Sequence, residues 1–444
     1  MLLPPDLRDW VPDNHLAHFV VEAVEGMNLG GVSVNHRGSG SAQYPPGMML
    51  SLLIYCYAAG IFSSRQIELG THENVAVRFI TGNTHPDHDT ICTFRRENKA
   101  LLEESFVKVL ELARELKLLK VGQITVSLDG TKVAANASKH AAVSYERAGE
   151  QIAQLELEVK QLMGKAEAAD STPLADGLSV PGEIARRQER KARLEEARRV
   201  IEQRAKERAQ AQKVEVEQKK AQRQAQREGG QKVRGPEPQE PNEQPGGKDQ
   251  YNFTDPQSRI MKAGGGKDHF EQAYNAQAAV EVESRLIVGQ RVSDAPNDKK
   301  ELVPTVQAVQ TQVVGGVKTV LADSGFYSQE AVQAVEASGD TLVMAAVERK
   351  SHHRTVEDLE QRADPPPPDP EAGMMDTMKW RMSIKAGKAI YKLRQQTVEP
   401  VFGIIKEAMG FRRFMLRGLE KVALEWTLVC LSYNVKRLHR MAIG

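Results

Sequence analysis

The order of strands and helices in the middle and second half of the chain constrains its fold most. Residues 124–129 alternate apolar and polar side chains, the period of a half-buried strand, and end in Asp-Gly, which predicts a turn. The same reading predicts strands at 274–282, 286–292, 317–323 and 341–347, and helices at 299–313 and 329–337. The order strand, strand, strand, helix, strand, helix, strand predicts an α/β domain.

A long charged segment interrupts this order between about residues 145 and 248, where Glu, Lys, Arg, Gln and Ala dominate. A heptad spacing relates four apolar residues near its start, Ile152, Leu155, Val159 and Leu162. A Pro/Gly-rich stretch at 172–182 precedes a longer charged helix at about 183–227. We expect an antiparallel helical hairpin, followed by a flexible linker rich in Gly, Pro and Gln up to residue 248.

The first 115 residues read as helical. Their most apolar run, at 47–62, is shorter than the roughly 20 residues that a membrane span needs, so a buried core helix is predicted. Residues 1–9 lack the basic region and apolar run of a signal peptide. We therefore expect a helical N-terminal domain over residues 1–118 and no membrane partner.

Charge and cysteine content exclude some classes of protein. The formal net charge is +1, so any attraction to nucleic acid must come from local clustering. Cys56, Cys92 and Cys430 have no paired spacing, which argues against a disulfide framework and against a thiolate zinc site. A reducing, cytoplasmic compartment is expected.

Two of the predicted strands end in an aspartate, Asp129 and Asp323. Strand ends often carry Asp for purely structural reasons, because it favours turns. Phosphoryl transfer, however, uses hard cations held by carboxylate oxygens, and two strand-end carboxylates with a third from a nearby helix would make such a cage. Both readings stay open on these residues alone.

Three segments carry an acidic residue in a characteristic setting: Val126–Lys132 around Asp129, Leu321–Tyr327 around Asp323, and Tyr391–Lys406 around Glu399. In this order they resemble the three acid motifs of bacterial insertion-sequence transposases of the DDE superfamily, the last resembling a Tyr-Arg-Glu-Lys helix. The segments Tyr274–Ala279 and Asp87–Ile91 extend the resemblance to most of the chain outside the charged insert.

The resemblance implies an RNase H-like fold, a mixed five-stranded sheet flanked by helices. The all-α N-terminal domain would serve DNA binding or dimerisation. Residues 119–144 and 250–444 would form the catalytic domain with its C-terminal helices, and residues 145–249 the charged helical-hairpin insert and linker. The resemblance also implies two Mg²⁺ ions, replaceable by Mn²⁺, with Asp129 bridging both and Asp323 and Glu399 each completing one coordination shell.

The family's Tyr, Arg and Lys contact DNA phosphates, which implies that role for Tyr391, Arg394 and Lys406. This chain has four residues between Arg394 and Glu399, where the family has three. At about 100° per residue, the step places Arg394 about 140° from Glu399, whereas Lys406 falls on the Glu399 face. Because Pro400 disfavours helical geometry at the residue before it, we expect Glu399 at a kink or a helix start.

Residues 411–440 concentrate positive charge, with seven Lys and Arg and two Glu, a local formal charge of +5. Arg412, Arg413 and Arg417 are therefore candidates for contact with the DNA backbone. The alternative is that these residues solvate a helix whose other face packs on the core. Trp380 could stack on an unpaired base, or it could pack inside the protein.

Three functions remain open at this stage. The first is a DNA transposase that cuts the ends of its element and joins the 3′ hydroxyl to target DNA. The second is a metal-dependent nuclease of the same fold without strand transfer, and the third is a non-catalytic DNA-binding remnant. A transposase implies double-stranded partners, the terminal inverted repeats and target DNA, a homodimer when two ends are paired, and a place at the bacterial nucleoid.

Overall fold

The computed structural model of the protein describes residues 6–27, 29, 43–120, 122–168, 179–229, 236–262, 269–312, 316–347, 363–369 and 372–443. The chain forms two compact units. The first comprises Met1–Asn136 and Met261–Gly444, and the second comprises Ala137–Ile260. The two units are described separately.

The first unit opens with helices, as the sequence predicts. After a short 3₁₀ turn at Leu7–Trp10 come α1 Leu16–Glu25, α2 Pro46–Ala58, α3 Ser64–Glu73, α4 Val75–Ile80, α5 His88–Glu97 and α6 Lys99–Glu115. Helix α2 carries the most apolar run, and its residues from Met49 to Ala58 are all buried. Within the described residues, no helix is long and apolar enough to cross a membrane.

A mixed sheet follows the helices. In chain order, its strands are β1 Ile124–Ala134, β4 Arg259–Lys262, β5 Phe270–Glu281, β6 Ile287–Ser293, β7 Val317–Ala322 and β8 Leu342–Ala345. Their order across the sheet is β4-β5-β1-β7-β8, and β6 also pairs with β5. All five predicted strands are present, and the short β4 is an additional sixth. Strand β1 lies antiparallel to β5 and parallel to β7, an arrangement consistent with an RNase H-like fold.

The turn predicted at Asp129-Gly130 is wrong. Strand β1 continues to Ala134, and Gly130 pairs with Gln277 in the middle of the antiparallel β1–β5 ladder. An Asp-Gly pair favours a turn only when nothing else satisfies its backbone. Here a long neighbouring strand supplies partners along the whole length of β1, so the extended conformation persists.

Helices cover the sheet. They are α9 Leu302–Gln312, α10 Gln329–Ala337, α11 Met374–Ser383, α12 Lys385–Gly403, a π-helical turn Ile404–Ala408 and α13 Leu419–Ile443. Helix α12 packs on β1 and β5, while α13 packs on β6 and on α2 and α6. Most of α13 from Val422 to Val435 is buried, which makes it the central helix of the core.

The second unit holds the charged insert. Its elements are β2 Ala142–Ser144, α7 Tyr145–Ala168, α8 Val180–Glu228 and β3 Gln250–Asn252. Tyr145 contacts Glu202 and Glu158 contacts Arg187, so α7 and α8 run antiparallel. A small apolar core joins them; it contains Val143, Ala148, Leu155, Leu194 and Ala197, with Ile152 and Tyr251 packed against it. Most of the predicted Pro/Gly loop between the helices, residues 172–178, lies outside the described residues.

Candidate active site

Strand register brings two of the three predicted acids together. The last parallel pair between β1 and β7 is Ser127 with Leu321. Asp129 lies two residues beyond Ser127, and Asp323 lies two residues beyond Leu321. Because side chains along a strand alternate between the two faces, a step of two keeps each aspartate on the face of its paired residue. The two carboxylates therefore occupy equivalent places on neighbouring strands.

The Asp129 carboxyl group has a strongly altered affinity for protons. Its pKa is raised from 3.8 to about 7 by burial, by the negative charge of Asp323 and, to a smaller extent, by that of Asp298. Two interactions oppose this rise: the Gly130 N–H donates to Asp129 Oδ1 at 2.9 Å, and the positive charge of Arg394 favours the ionised form. Burial and the neighbouring negative charge at Asp129 therefore outweigh the two groups that favour its ionised form.

Helix α12 carries the third acid, Glu399. An ion pair joins Glu399 Oε1 to Arg394 Nη2 at 3.6 Å. The Glu399 side chain is 53% exposed, whereas that of Arg394 is 11% exposed. Arg394 thus lies between the aspartate pair, where it lowers the pKa of Asp129, and the glutamate to which it is paired.

Three hydrogen bonds attach the last motif to the strands that bear the aspartates. The Tyr391 hydroxyl donates to the Ala322 carbonyl at 3.2 Å, directly before Asp323. The Ser127 hydroxyl donates to the Arg394 carbonyl at 3.3 Å, and the Lys406 ammonium donates to the Lys132 carbonyl at 2.9 Å. Burial lowers the pKa of Lys406 and raises that of Tyr391. These contacts fix α12 across β1 and β7.

Two geometric expectations about this helix are wrong. Glu399 lies inside α12 and not at a kink or helix start, because the helix continues through Pro400 to Gly403 before the π-helical turn. Arg394 reaches Glu399 despite the angle of about 140° between the two positions, because both side chains are long enough to span it. Lys406 lies in the π-helical turn, beyond the regular helix on which its angle from Glu399 is counted, and its ammonium donates to the backbone of β1.

The donor set of this site suits a hard divalent cation, since carboxylate oxygens are its preferred ligands. The raised pKa of Asp129 supports the same conclusion, because a bound cation would neutralise the excess charge. In the part of the chain that the structure describes, no three or more His, Cys, Asp or Glu side chains are already gathered closely enough to hold a metal ion. The aspartate pair fits such an ion, whereas Glu399 is engaged by Arg394.

A polar cluster on the opposite face of the sheet escaped the sequence reasoning. Asp298 Oδ1 accepts hydrogen bonds from Asn275 and Gln277, both at 2.7 Å, and lies 3.7 Å from the Lys132 ammonium. A Cβ atom at Gly130 would lie 2.5 Å from that same oxygen. The only available signal was the pair of amides at alternate positions of one apolar strand, which places both on one face.

The predicted DNA-contacting residues outside the Tyr391–Lys406 segment are three exposed arginines and the half-buried Trp380. Arg412 and Arg413 are exposed, as is Arg417, and Arg412 pairs with Glu407 while Arg417 donates to the Asn136 carbonyl at 3.0 Å. Trp380 is half-buried, and its indole N–H donates to the Pro365 carbonyl at 3.0 Å. This bond favours packing for Trp380 in the free protein, which is the alternative that the sequence left open.

Comparison with known families agrees with this architecture. Residues 230–435 match the model of a transposase DDE domain, and residues 5–97 match that of a transposase domain (DUF772). The two matches together cover about two thirds of the chain and include both Asp323 and Glu399. No curated protein and no solved structure matches the chain significantly.

The mixed sheet flanked by helices, together with the matches to two transposase domain models, identifies the chain as a transposase. The chain belongs to the DDE transposases of the insertion-sequence type.

Proposed function

We propose that this transposase cuts the ends of its element by metal-dependent phosphodiester hydrolysis and joins the freed 3′ hydroxyl to target DNA. The observation that carries the proposal is the pair Asp129 and Asp323, held side by side by strand register, with the pKa of Asp129 raised to about 7. A half-buried, mutually repelling pair of carboxylates is costly to keep without a counterion. A bound divalent cation would offset the repulsion between the two carboxylates.

Asp129, Asp323 and Glu399 would hold the Mg²⁺ ions, or Mn²⁺ in their place. Bound there, the ions supply activation of the attacking oxygen and stabilisation of the leaving oxygen. Asp129 must be ionised to act as a ligand, which its raised pKa makes dependent on pH. Glu399 must exchange its ion pair with Arg394 for the site, which frees the guanidinium.

We assign the freed Arg394 to a DNA phosphate next to the scissile bond, because a guanidinium forms paired hydrogen bonds with phosphate oxygens. Tyr391 on α12 and Lys406 in the π-helical turn after it bond the strand backbone, and both would hold the DNA backbone in register. Arg412, Arg413 and Arg417 would extend the phosphate track, and Trp380 would stack on a base if its bond to Pro365 opens. Two such subunits, each with one end, would form the paired complex at the bacterial nucleoid.

The test is a cleavage and joining assay with a duplex that carries the element's own end. Asp129→Ala, Asp323→Ala and Glu399→Ala should each abolish cleavage and joining in Mg²⁺, while binding of the end duplex changes little, because the acids serve the ions and not the phosphate grip. Asp340→Ala, an exposed aspartate outside the site, is the matched control and should retain full activity.

The products separate this proposal from its alternatives. Cleaved ends joined covalently to target plasmid support strand transfer. Cleavage without joined product would reduce the protein to a nuclease, and end binding without cleavage in wild-type protein would reduce it to a DNA-binding remnant. Cleavage by Asp323→Ala at the wild-type rate would refute the metal assignment.

A further inference from the structure

The distal half of α8, residues 206–228, is a long exposed helix with an excess of positive charge. It holds seven Lys and Arg and four Glu, a formal charge of +3. The segment 236–249 holds four acids and one Lys, a formal charge of −3. We call this segment the acidic strap, because it runs back along α8 and cancels the helix charge. The composition of residues 229–248 predicts a flexible linker, but from residue 236 onward the chain is engaged with the helix.

Four ion pairs join the strap to α8. Arg208 pairs with Asp249 at 3.0 Å, and the other three pairs follow one register. Glu243 pairs with Lys213 at 2.5 Å, Glu240 with Lys220 at 3.5 Å and Glu237 with Arg227 at 3.0 Å. The basic residues, which we call the basic stripe, are seven positions apart, and the acidic residues are three positions apart in the opposite direction. Arg223 also donates to the Pro236 carbonyl.

The two spacings match in length. Seven residues of α-helix advance about 10.5 Å, at 1.5 Å per residue. Three residues of polyproline II chain advance about 9.3 Å, at 3.1 Å per residue, and return the side chain to the same face. Pro236, Pro238, Pro241 and Pro245 favour this conformation in the strap. The strap therefore presents its carboxylates to the basic stripe one after another, as a straight polyanion would.

The contact between the acidic strap and α8 is weak enough for another polyanion to displace the strap. The six side chains of the three pairs in register are 49–83% exposed, and ion pairs at such exposure are weak and screened by salt. Prolines cannot donate backbone hydrogen bonds, so charge is the main tie between strap and helix. The strap offers one negative charge per about 9.3 Å, whereas duplex DNA offers one per about 1.7 Å of its axis. DNA is therefore the stronger occupant.

We propose that the basic stripe, Lys213, Lys220 and Arg227, is a contact surface for the backbone of duplex DNA, and that the acidic strap covers it until DNA displaces the strap. The proposal rests on the proposed function only for the identity of the partner. It extends the DNA-binding surface of the protein to the insert and makes access to that surface competitive.

The experiment measures binding of a labelled random-sequence duplex to the full chain over a range of salt concentrations, by fluorescence anisotropy. The strap variant is Glu237→Gln, Glu240→Gln and Glu243→Gln. The control variant is Glu207→Gln, Glu217→Gln and Glu228→Gln, which makes the same change of charge on the same half of α8. Glu207 and Glu228 bond glutamines of their own helix. A third variant replaces the basic stripe by Lys213→Gln, Lys220→Gln and Arg227→Gln.

The strap variant should bind DNA roughly five- to fifty-fold more tightly than the control variant, because three weak competing ion pairs are gone. The stripe variant should bind more weakly, and its log–log salt slope should flatten by about 2 to 3 units, since each lost phosphate contact contributes about 0.9. Adding the strap changes to the stripe variant should give no further gain.

Equal tightening by the strap and control variants would show an effect of net charge alone and overturn the proposal. So would a stripe variant with unchanged affinity and slope, which would make the strap a brace for a long helix. Because no cleavage is measured, these results stand apart from the test of the proposed chemistry. A protein that binds as described but never cuts DNA would contradict only the latter.

Discussion

Replacing Asp129 by Asn should stabilise the metal-free protein, and the gain should grow with pH. The carboxyl group has an ordinary pKa of 3.8 and a folded-state pKa of about 7. The folded protein therefore holds the proton more tightly than the unfolded chain, so the wild type is favoured at low pH. That contribution begins to fall as pH rises through 3.8 and is lost above about 7. Asn carries no charge and escapes this loss.

The size of the effect follows from the shift. A difference of about three pKa units, at 1.36 kcal/mol per unit, corresponds to about 4 kcal/mol at pH 8. Water entry and small movements of Arg394 reduce this value, so we expect a gain in the free energy of unfolding of about 1 to 4 kcal/mol at pH 8. At pH 5 the gain should be at most about 1.6 kcal/mol.

Urea unfolding in EDTA at pH 5 and pH 8 measures both values, with Asp340→Asn as the exposed control that should show no such difference. Adding Mg²⁺ at pH 8 should then stabilise the wild type and leave Asp129→Asn nearly unchanged, because only the former offers the full ligand set. An equal gain for Asp129→Asn at both pH values would refute the claim that the fold destabilises the ionised form of this carboxyl group.

Three further perturbations test other features of the structure. Arg95 donates to Tyr57 at 2.6 Å and Tyr57 donates to Glu425 at 2.8 Å, in a buried network from which Arg95→Leu removes the cation. This change should lower the free energy of unfolding, measured in urea, by about 3 to 5 kcal/mol. A loss under about 1 kcal/mol would mean that the network relaxes freely. Gly130→Ala places a Cβ atom 2.5 Å from Asp298 Oδ1 and Gln277 Nε2 and should lower the free energy of unfolding by about 1 to 3 kcal/mol. The control Gly164→Ala, in open space on α7, should be neutral or stabilising. Equal effects of the two changes would show that the polar cluster around Asp298 moves aside easily. Changing Arg412, Arg413 and Arg417 to Gln should flatten the salt dependence of DNA binding by about 1 log–log unit per lost contact, and an unchanged slope would move the phosphate track to another surface.

The sheet was predictable because its strands carry local signals. Alternation marks β1, and apolar runs mark β7 and β8, so each element could be placed from its own residues. The end of β1 could not be placed in this way, because the partner that keeps Asp129-Gly130 extended lies about 150 residues further along the chain. The local preference of Asp129-Gly130 for a turn is outweighed by the hydrogen bonds of the β1–β5 ladder.

The chemistry of the site was visible in part. The resemblance points to Asp129, Asp323 and Glu399. Which groups offset their negative charges, however, depends on contacts that form only in the folded chain. A helical angle describes the positions of Cα atoms and not the reach of side chains, so the Arg394–Glu399 ion pair was missed. Asp298 has no local signal, since a single acid in a loop is ordinary. The match between strap and helix spacing became visible only once the two segments were seen to run antiparallel.

The most direct test of the central claim is a metal-specificity switch at Asp323. Asp323→Cys replaces a hard oxygen ligand with a soft thiolate, which binds Mg²⁺ poorly and softer ions such as Mn²⁺ or Cd²⁺ better. Cleavage of an end-containing duplex by this variant should be lost in Mg²⁺ and should recover in Mn²⁺ or Cd²⁺, while Asp323→Ala stays inactive in all three. If Asp323→Cys cuts equally well in Mg²⁺ and the softer ions, or never recovers in any of them, Asp323 is not the metal ligand that this account requires.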